Sequence, residues 1–157
     1  MAKEKQESKE HEHEELDRSK EVALKTHLSI NQELCGEIEY MDNFMVKLKL
    51  ETTYDMLAEE NGLIHSGFIF GAADYAAMAV VNDKNVVLVA SDCQFLSPVR
   101  MGDTVNFKAK VRHKEGRKRN VHVIGEVMDI KVFDGEFKTV ITENNILNTK
   151  LLDEKDD

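Results

Sequence analysis

The longest nearly uncharged stretch of the chain runs from residue 62 to residue 81, GLIHSGFIFGAADYAAMAVV. It stands in a sequence of which 32% is charged, and Asp74 is its only acid. A segment that is apolar on every side predicts a helix buried by the rest of the chain. The length also suits a membrane span, but the flanks are charged and strand-like and no second apolar span follows. These features favour a central helix wrapped by a sheet, with its N-terminus pointing at a ligand.

The segment before this helix predicts a strand hairpin. Val46, Leu48 and Leu50 alternate with charged residues, which is the two-residue period of a half-buried strand. Ile38 and Tyr40 indicate a preceding strand, and a turn at residues 42–43 would join the two. Residues 54–64 are then expected to form a loop or a short helical turn before the helix.

The segment after the helix predicts four more strands. Val86–Phe95 is apolar on both faces at its start, which is typical of a central strand covered on both sides, and residues 97–98, Ser-Pro, end it. Alternation from 105 to 111 and from 121 to 127 predicts two strands, joined by a basic turn around Gly116. Residues 134–135, Asp-Gly, predict a hairpin, and a strand from 136 to 147 completes the sheet.

The predicted order is therefore β-β-helix-β-β-β-β. Strands joined by hairpins indicate an antiparallel sheet, and one apolar helix across it gives a two-layer α+β domain. The sheet must curl around the helix to cover its apolar sides.

Charge and cysteine content limit the function classes. The net charge is -9 and the pI is near 5.2, which disfavours nonspecific nucleic-acid binding. Cys35 and Cys93 lie in different segments, so two free thiols in a reducing compartment are favoured over a disulfide. The first fifteen residues contain no apolar core of a secretory signal. The chain is predicted to be cytoplasmic.

The length of 157 residues suits one domain. Residues 1–28 are expected to be an acidic, polar tail that is disordered or partly helical, with a short amphipathic helix over 16–28 as one alternative. Residues 29–150 would form the domain, and 151–157 an acidic tail. His11 and His13 are surrounded by glutamates without a third spaced ligand, so no metal site is predicted.

Several motifs in a fixed order carry a family resemblance. Residues 65–67, His-Ser-Gly, precede residues 71–74, Gly-Ala-Ala-Asp, which places the acid nine positions after the histidine. Residues 95–99, FLSPV, and 101–103, MGD, follow. In this arrangement residues 34–147 resemble the hotdog-fold acyl-CoA thioesterases, especially the phenylacetyl-CoA thioesterase-like members. The resemblance implies a curled antiparallel sheet of five to six strands around one long central helix.

A second resemblance rests on residues 34–38, LCGEI, and on the long helix. It is to the hotdog domain of an acyl-CoA-sensing repressor of fatty-acid synthesis, a family that binds malonyl-CoA and performs no chemistry. Those repressors carry a helix-turn-helix before the hotdog domain. The first 30 residues here are too short and too acidic for one, so no DNA partner is expected.

Two residues of the helix would carry the chemistry. Gly67 and Asp74 are seven positions apart, on one face and about 10 Å apart along the axis. One thioester carbonyl cannot reach both in one chain, whereas a two-fold homodimer joins Gly67 of one copy to Asp74 of the other, as the resemblance also implies. An N–H near Gly67 would hold an oxyanion. Asp74 would act as base or nucleophile, or be a structural hydrogen-bond partner.

The approach to the helix departs from the thioesterase pattern. Ser66 replaces the first glycine of the usual pair, where it crowds the thioester or simply caps the helix. Glu59 stands where the family often has an asparagine that helps bind the carbonyl, with Asn61 as a substitute. His65 is either a structural residue of the turn or a substrate contact. These departures weigh against catalysis more than against acyl-CoA binding.

A basic cluster is the remaining candidate site. In an acidic protein this local reversal of sign predicts contact with the phosphates of coenzyme A, and a solvated turn is the alternative. Its members, with one outlying arginine, are Arg112, Lys114, Arg117, Lys118, Arg119 and Arg100.

The sequence thus predicts a cytoplasmic homodimer that binds an acyl-CoA or a related thioester, with no other cofactor. Pairing of dimers into tetramers stays open. The protein either hydrolyses the thioester, or senses it without chemistry, or is a scaffold that has lost the ligand.

Overall fold

The computed structural model describes residues 22–148. They adopt the predicted order of strands around one long helix, with a short helix in front. The helices and strands are α1 (Gln32–Cys35), β1 (Glu37–Met41), β2 (Met45–Glu51), α2 (Ser66–Val81), β3 (Val86–Phe95), β4 (Thr104–Glu115), β5 (Lys118–Val127) and β6 (Ile130–Ile141). A 3₁₀ turn at Tyr54–Met56 lies where a loop or helical turn was predicted.

The strands form one antiparallel sheet in the order β1-β2-β4-β5-β6-β3. The pairing register shifts in four places, at 38/40, 88/90, 111/113 and 125/126. Such bulges bend a sheet, and the bent sheet contacts α2 through β2 to β6. The predicted α+β architecture, a curled antiparallel sheet with one main helix, is confirmed.

Helix α2 begins at Ser66, four residues later than the start of the apolar run. Small alanines dominate its middle, so both the helix propensity and the close approach of the sheet are favourable. It ends at Asn82, which is in the left-handed conformation and donates its N–H to Met78 O. Nine of its sixteen residues are buried, as the sequence predicted. No helix between residues 22 and 148 is long and apolar enough to span a membrane.

The hairpin predicted at residues 134–135 is wrong, because both residues lie inside β6. The turn is at Met128 and Asp129, whose φ values are +48° and +65°. Gly135 is a packing residue instead. A Cβ there would meet the Phe133 ring at 2.8 Å and Cys93 Sγ at 2.9 Å.

The prediction that Val86–Phe95 is a central strand is also wrong. β3 is the edge strand beside β6, and most of its residues are exposed. An apolar run of this kind fits an edge strand as well when another surface covers it, which a pattern in one chain does not reveal. The opposite edge, β1, is half as long and carries Glu37 and Glu39.

The segment from residue 22 to residue 28 contains no helix, so the amphipathic helix predicted over 16–28 is wrong for these residues; the remainder lies outside the described part of the chain. Val22 and Leu24 pack against the core. Asn82 holds the segment, since its Oδ1 accepts from Lys25 N–H at 2.7 Å and its Nδ2 donates to Ala23 O at 2.9 Å. His11, His13 and the acidic C-terminal tail also lie outside the described residues.

Candidate functional site

The start of α2 is held by its preceding turn. His65 N–H donates to Met56 O at 2.9 Å and Ile64 N–H donates to Val99 O at 2.9 Å. These bonds fix the first turn of the helix between the 3₁₀ turn and the segment after β3. These two hydrogen bonds therefore fix the position of the N-terminus of α2.

His65 is the N-cap of α2, so the prediction that Ser66 caps the helix is wrong. Its Nδ1 accepts from Gly67 N–H at 2.7 Å, and its ring packs edge-on against Phe68, with 6.2 Å between centroids. A Cβ on Gly67 would meet the ring at 2.8 Å. The Gly67 amide, predicted to hold an oxyanion, is thus already occupied.

Ser66 is the first residue of α2 and is exposed. Residues 22–148 offer no hydrogen-bond acceptor to its N–H. The first N–H groups of a helix lack partners within the helix and lie at the positive end of its dipole. The free donor at the start of α2 is therefore the Ser66 N–H, next to Gly67, near which a donor was predicted.

Asp74 lies in the middle of α2. Its Oδ1 is enclosed and has no hydrogen-bond partner among the described residues. Burial raises the pKa of this carboxyl from 3.8 to about 6. A carboxylate with this pKa is ionised at neutral pH and basic enough to accept a proton from a bound water.

Gly67, Gly71 and Asp74 follow one another at positions i, i+4 and i+7, so they share one face of α2. This face is less buried than the rest of the helix. A Cβ on Gly71 would meet no atom within 4 Å, so space is open on this face one turn before Asp74. Gly71 belongs to the motif at residues 71–74 but was not among the predicted site residues, although it lies three positions before Asp74.

Both cysteines lie within electrostatic range of Asp74. Burial is the main cause that raises the pKa of the Cys35 thiol, and the Asp74 carboxylate raises it further. Burial likewise raises the pKa of Cys93; a hydrogen bond from Ser91 opposes the shift, and Asp92 and Asp74 add to it. Both thiols are free, as predicted, and a protonated thiol is a poor nucleophile. Asp74 is the more reactive group of this set.

A cavity of about 300 Å³ opens beside the first turn of α2. His65, Ser66 and Ser97 supply its polar lining, with Ala58 and Pro98 beside them. The remaining walls are apolar and come from the turn before α2, from α2 itself and from the ends of β3 and β6: Leu63, Ile64, Ile69, Phe95, Val99 and Val132.

Glu59 and Asn61 lie in the turn that precedes α2, and both are exposed. Asn61 Oδ1 accepts from Leu63 N–H at 3.1 Å, so this amide oxygen shapes the turn. Asn61 also lines a hollow of about 190 Å³ together with Leu63, Pro98 and Arg100. Glu59 contributes to none of the cavities named here. The structure therefore places Asn61 and Arg100 near the helix start, while Glu59 stays on the outer surface of the turn.

The basic cluster lies at the other end of the molecule. It surrounds the β4–β5 turn, whose neighbour is the end of β6, since Ile141 N–H donates to Arg117 O at 2.8 Å. β4 starts near α2's first turn and runs twelve residues to this turn, which is roughly 35 to 40 Å in extended chain. Arg112 pairs with Glu136 at 2.7 Å and Arg117 with Glu143 at 2.6 Å. Within one chain, the structure does not join Arg112, Lys114, Arg117, Lys118 and Arg119 to the helix start.

A second polar network lies on the outer sheet face. His122 Nε2 is 2.7 Å from Asp134 Oδ1, and Arg112 Nη2 is 2.9 Å from His122 Nδ1. The hydrogen bond with His122 is the main cause that lowers the pKa of Asp134. Both ring nitrogens are occupied, so this histidine holds strands together. Residues 22–148 contain no group of three His, Cys, Asp or Glu side chains suited to a metal ion.

Comparison with known proteins begins with a family model. The model of the thioesterase superfamily matches residues 61–132, which include α2 and all of the residues that line the cavity except Ala58. The match therefore covers the segment that holds both Ser66 and Asp74.

Two curated relatives match parts of the chain. A methylthioribose-1-phosphate isomerase of Aquifex aeolicus is 45% identical over 117 residues, which are 74% of this chain and 26% of that protein. Transcription factor FapR of a Thermoanaerobacter species is 28% identical over 100 residues, which are 64% of this chain and 50% of that protein. The chain thus spans about a quarter and about half of these two relatives.

Two solved structures share the architecture. An uncharacterized protein from Pyrococcus horikoshii has a TM-score of 0.80 at 35% identity, over 82% of this chain and 98% of that one. A hypothetical thioesterase from Streptococcus pneumoniae, solved with coenzyme A, has a TM-score of 0.63 at 20% identity, over 69% and 87% of the two chains. The second similarity is one of fold alone.

Proposed function

Because the chain belongs to the thioesterase superfamily, we propose that it binds an acyl-CoA or a related thioester at the start of α2 and hydrolyses it. The proposal is carried by Asp74, whose Oδ1 is enclosed without a partner among the described residues. An unpaired buried carboxylate is costly. A group of this kind beside open space is what a site for general-base or nucleophilic catalysis requires.

The reaction uses one donor and one carboxylate. The Ser66 N–H polarises the thioester carbonyl and holds the oxyanion that forms when its carbon is attacked. Asp74 takes a proton from the attacking water, or attacks the carbonyl itself and is released by water in a second step. In both routes the thiolate of coenzyme A leaves, and a carboxylic acid is the second product.

A second copy of the chain completes the site. Ser66 and Asp74 are eight residues apart, about 12 Å along one helix, so one carbonyl does not reach both in the same chain. The exposed edge strand β3 offers a long row of unpaired backbone groups and exposed apolar side chains, including Val89 at 59% exposure. A two-fold dimer through β3 covers this edge and brings the two helices side by side.

Coenzyme A is the carrier that we assign to the ligand. The pneumococcal neighbour of the same fold was solved with coenzyme A, and Arg100 here lies beside the cavity mouth, exposed and suited to a phosphate. The basic β4–β5 turn remains a candidate only where another subunit brings it to the site. Two free thiols favour a reducing cytoplasm as the compartment.

A proline at position 66 tests the donor directly. Proline fits the first position of a helix and removes only its N–H, and His65, with ψ 129°, has the extended backbone that a following proline requires. We expect Ser66→Pro to lower kcat by about a hundredfold to a thousandfold, while Ser66→Ala, which keeps the N–H, stays within about threefold. Hydrolysis of an acyl-CoA panel, followed by release of free thiol, gives the rates. Equal rates for the two variants would remove the Ser66 amide from the mechanism.

A sensor that binds the thioester without hydrolysing it is the second candidate. The FapR similarity favours it, and so does the occupied Gly67 amide, which leaves one donor fewer at the helix start. The two functions separate in one comparison: a sensor gives a thermal shift with acyl-CoA and no release of thiol from any chain length. A protein that gives neither result is the scaffold of the third hypothesis.

A further inference from the structure

The cavity beside α2 has a composition that selects among acyl groups. We propose that it receives the acyl group of the thioester and that it takes neutral, apolar acyl groups in preference to those that end in a carboxylate. This inference rests on the proposed function, since the same helix start holds the thioester.

The cavity walls supply apolar contact. Four buried apolar side chains line the cavity: Ile64, Ile69, Val99 and Val132. Phe95 stands at the mouth, 49% exposed, with its ring packed edge-on against Phe133 at 5.4 Å between centroids. An acyl chain that enters packs against these side chains and is removed from water together with part of the exposed surface of Phe95, which is favourable in proportion to the area covered.

The polar lining offers no cation. His65 is the only titratable side chain among the described residues that line the cavity. Because its Nδ1 accepts from Gly67 N–H, this nitrogen presents a lone pair and no proton, and Nε2 is the ring nitrogen that can donate. Ser66 and Ser97 are neutral. A carboxylate at the end of an acyl group would lose its water without gaining an opposite charge, which is strongly unfavourable.

Arg100 lies outside the mouth of the cavity. Arg100 lines the neighbouring hollow with Asn61, Leu63 and Pro98 and does not line the cavity itself. Its backbone is paired with Leu63 in an isolated bridge, so this position is fixed by the fold. A cation here suits the phosphates of the carrier, which stay in solvent, and leaves the inner end of the acyl group among apolar residues.

The cavity volume limits the size of the acyl group. About 300 Å³ is at the lower end of small-molecule sites, which span roughly 300 to 1,000 Å³. A medium-length chain or a phenyl-bearing acyl group fits such a space. Ala58 is exposed and lines it, so a larger side chain at this position fills the cavity without disturbing the core.

Binding by a matched set of ligands tests the inference. Octanoyl-CoA, acetyl-CoA, malonyl-CoA and free coenzyme A are titrated calorimetrically into the full chain carrying Asp74→Asn, which prevents hydrolysis during the measurement. We expect octanoyl-CoA to bind at least about tenfold more tightly than either malonyl-CoA or free coenzyme A. Malonyl-CoA binding as tightly as octanoyl-CoA would overturn the selectivity, while leaving a thioester-binding function in place.

Two substitutions in the cavity wall locate the acyl group. Ala58→Leu is expected to weaken the binding of octanoyl-CoA about tenfold and to change that of acetyl-CoA by less than about twofold. The matched control is Ala23→Leu, in the segment beside the C-terminus of α2, and it should change neither affinity. Ser97→Arg adds the missing cation and is expected to strengthen malonyl-CoA about tenfold. If Ala58→Leu leaves the affinity for octanoyl-CoA unchanged, the acyl group lies elsewhere. A wild-type chain that neither binds nor hydrolyses any thioester overturns both this inference and the proposed function.

Discussion

Asp74 is the residue in which stability and chemistry conflict. Its carboxyl is largely buried, with Oδ1 enclosed, and this burial raises the pKa of the carboxyl to about 6. The folded protein therefore holds a proton that the unfolded chain releases nearer to pH 3.8. Such a cost is expected at functional sites, where local consistency gives way to reactivity.

The pH dependence of folding should show this conflict. Between about pH 4 and pH 6 the folded state binds the proton and the unfolded state has lost it, so the free energy of unfolding falls by about 3 kcal/mol as pH rises through this window. Asp74→Asn should lose this slope and be about 1 to 3 kcal/mol more stable than wild type near pH 8. Urea denaturation near pH 4 and near pH 8 measures both quantities.

Activity should rise with pH over the range in which the free energy of unfolding falls. Wild-type kcat should decline as pH falls through about 6, because the base becomes protonated, and Asp74→Asn should reduce kcat by about a hundredfold or more. Asp55→Asn, at an exposed aspartate of the 3₁₀ turn, is the matched control and should leave rate and slope unchanged. A slope that persists in Asp74→Asn would assign the pH dependence to another group.

Single residues also set the limit of what the sequence predicts about the site. Asp74 and the region from Asn61 to Gly67 were found because their types and spacing resemble a family. The sequence predicted a donor near Gly67 without assigning the free amide, because the choice between Ser66 and Gly67 depends on which N–H the His65 ring accepts. That is a matter of side-chain rotamer, which spacing does not encode.

At the scale of elements, α2 combines a buried majority with one open face. Gly67, Gly71 and Asp74 form this face, and open space adjoins Gly71. Glycine inside a helix costs stability relative to alanine. At Gly71 a Cβ would project into this open space, on the same face as Asp74.

Gly71→Ala should therefore make the protein more stable and less active. We expect the free energy of unfolding to rise by about 0.5 to 1 kcal/mol, and kcat/KM to fall by about tenfold because the methyl group occupies the approach to Asp74. Gly67→Ala is the informative contrast, since its Cβ would meet the His65 ring and should lower stability by about 0.5 to 2 kcal/mol through loss of the cap. Thermal unfolding and hydrolysis rates, measured together, check both. A Gly71→Ala protein of full activity would show that ligand does not use this face.

The strands show where periodicity succeeds and where it fails. β2 and β4 alternate clearly because one side faces α2 and the other faces water, so their prediction was correct. The Asp-Gly pair at 134–135 has the composition of a turn, but Gly135 is required by the Phe133 ring and Cys93. A glycine needed for close packing and a glycine needed for a turn have the same sequence signal. The prediction for β3 was wrong for a different reason. In the dimer that we propose, the surface that covers β3 belongs to the second copy of the chain.

At the scale of the whole molecule, the two sheet edges are unequal. β1 is short and bears glutamates, which discourage pairing. β3 is long, largely exposed and partly apolar. The proposed dimer uses the edge that lacks protection, and the site that spans two helices depends on it.

Val89→Lys tests this arrangement with little effect on the fold, because the side chain is 59% exposed. A charge at the edge should shift sedimentation at micromolar concentration from dimer to monomer and lower specific activity in parallel. Phe44→Lys places the same charge at another exposed apolar position, in the β1–β2 turn, and should change neither. A Val89→Lys protein that is monomeric and keeps the specific activity of the wild type would rule out the shared site.

Asn82 also has a practical consequence for anyone who shortens the chain. Its side chain ties Ala23 and Lys25 to the C-terminus of α2, and Val22 and Leu24 cover part of the core there. A cut placed after Lys25 removes both the tie and the cover, and it leaves an amide side chain without its partners at a residue in the left-handed conformation. A cut placed before Val22 spares all of these contacts. A shortened chain that is meant to keep the C-terminus of α2 intact therefore has to retain Val22 and the residues that follow it, although they belong to the segment that was expected to be a polar tail.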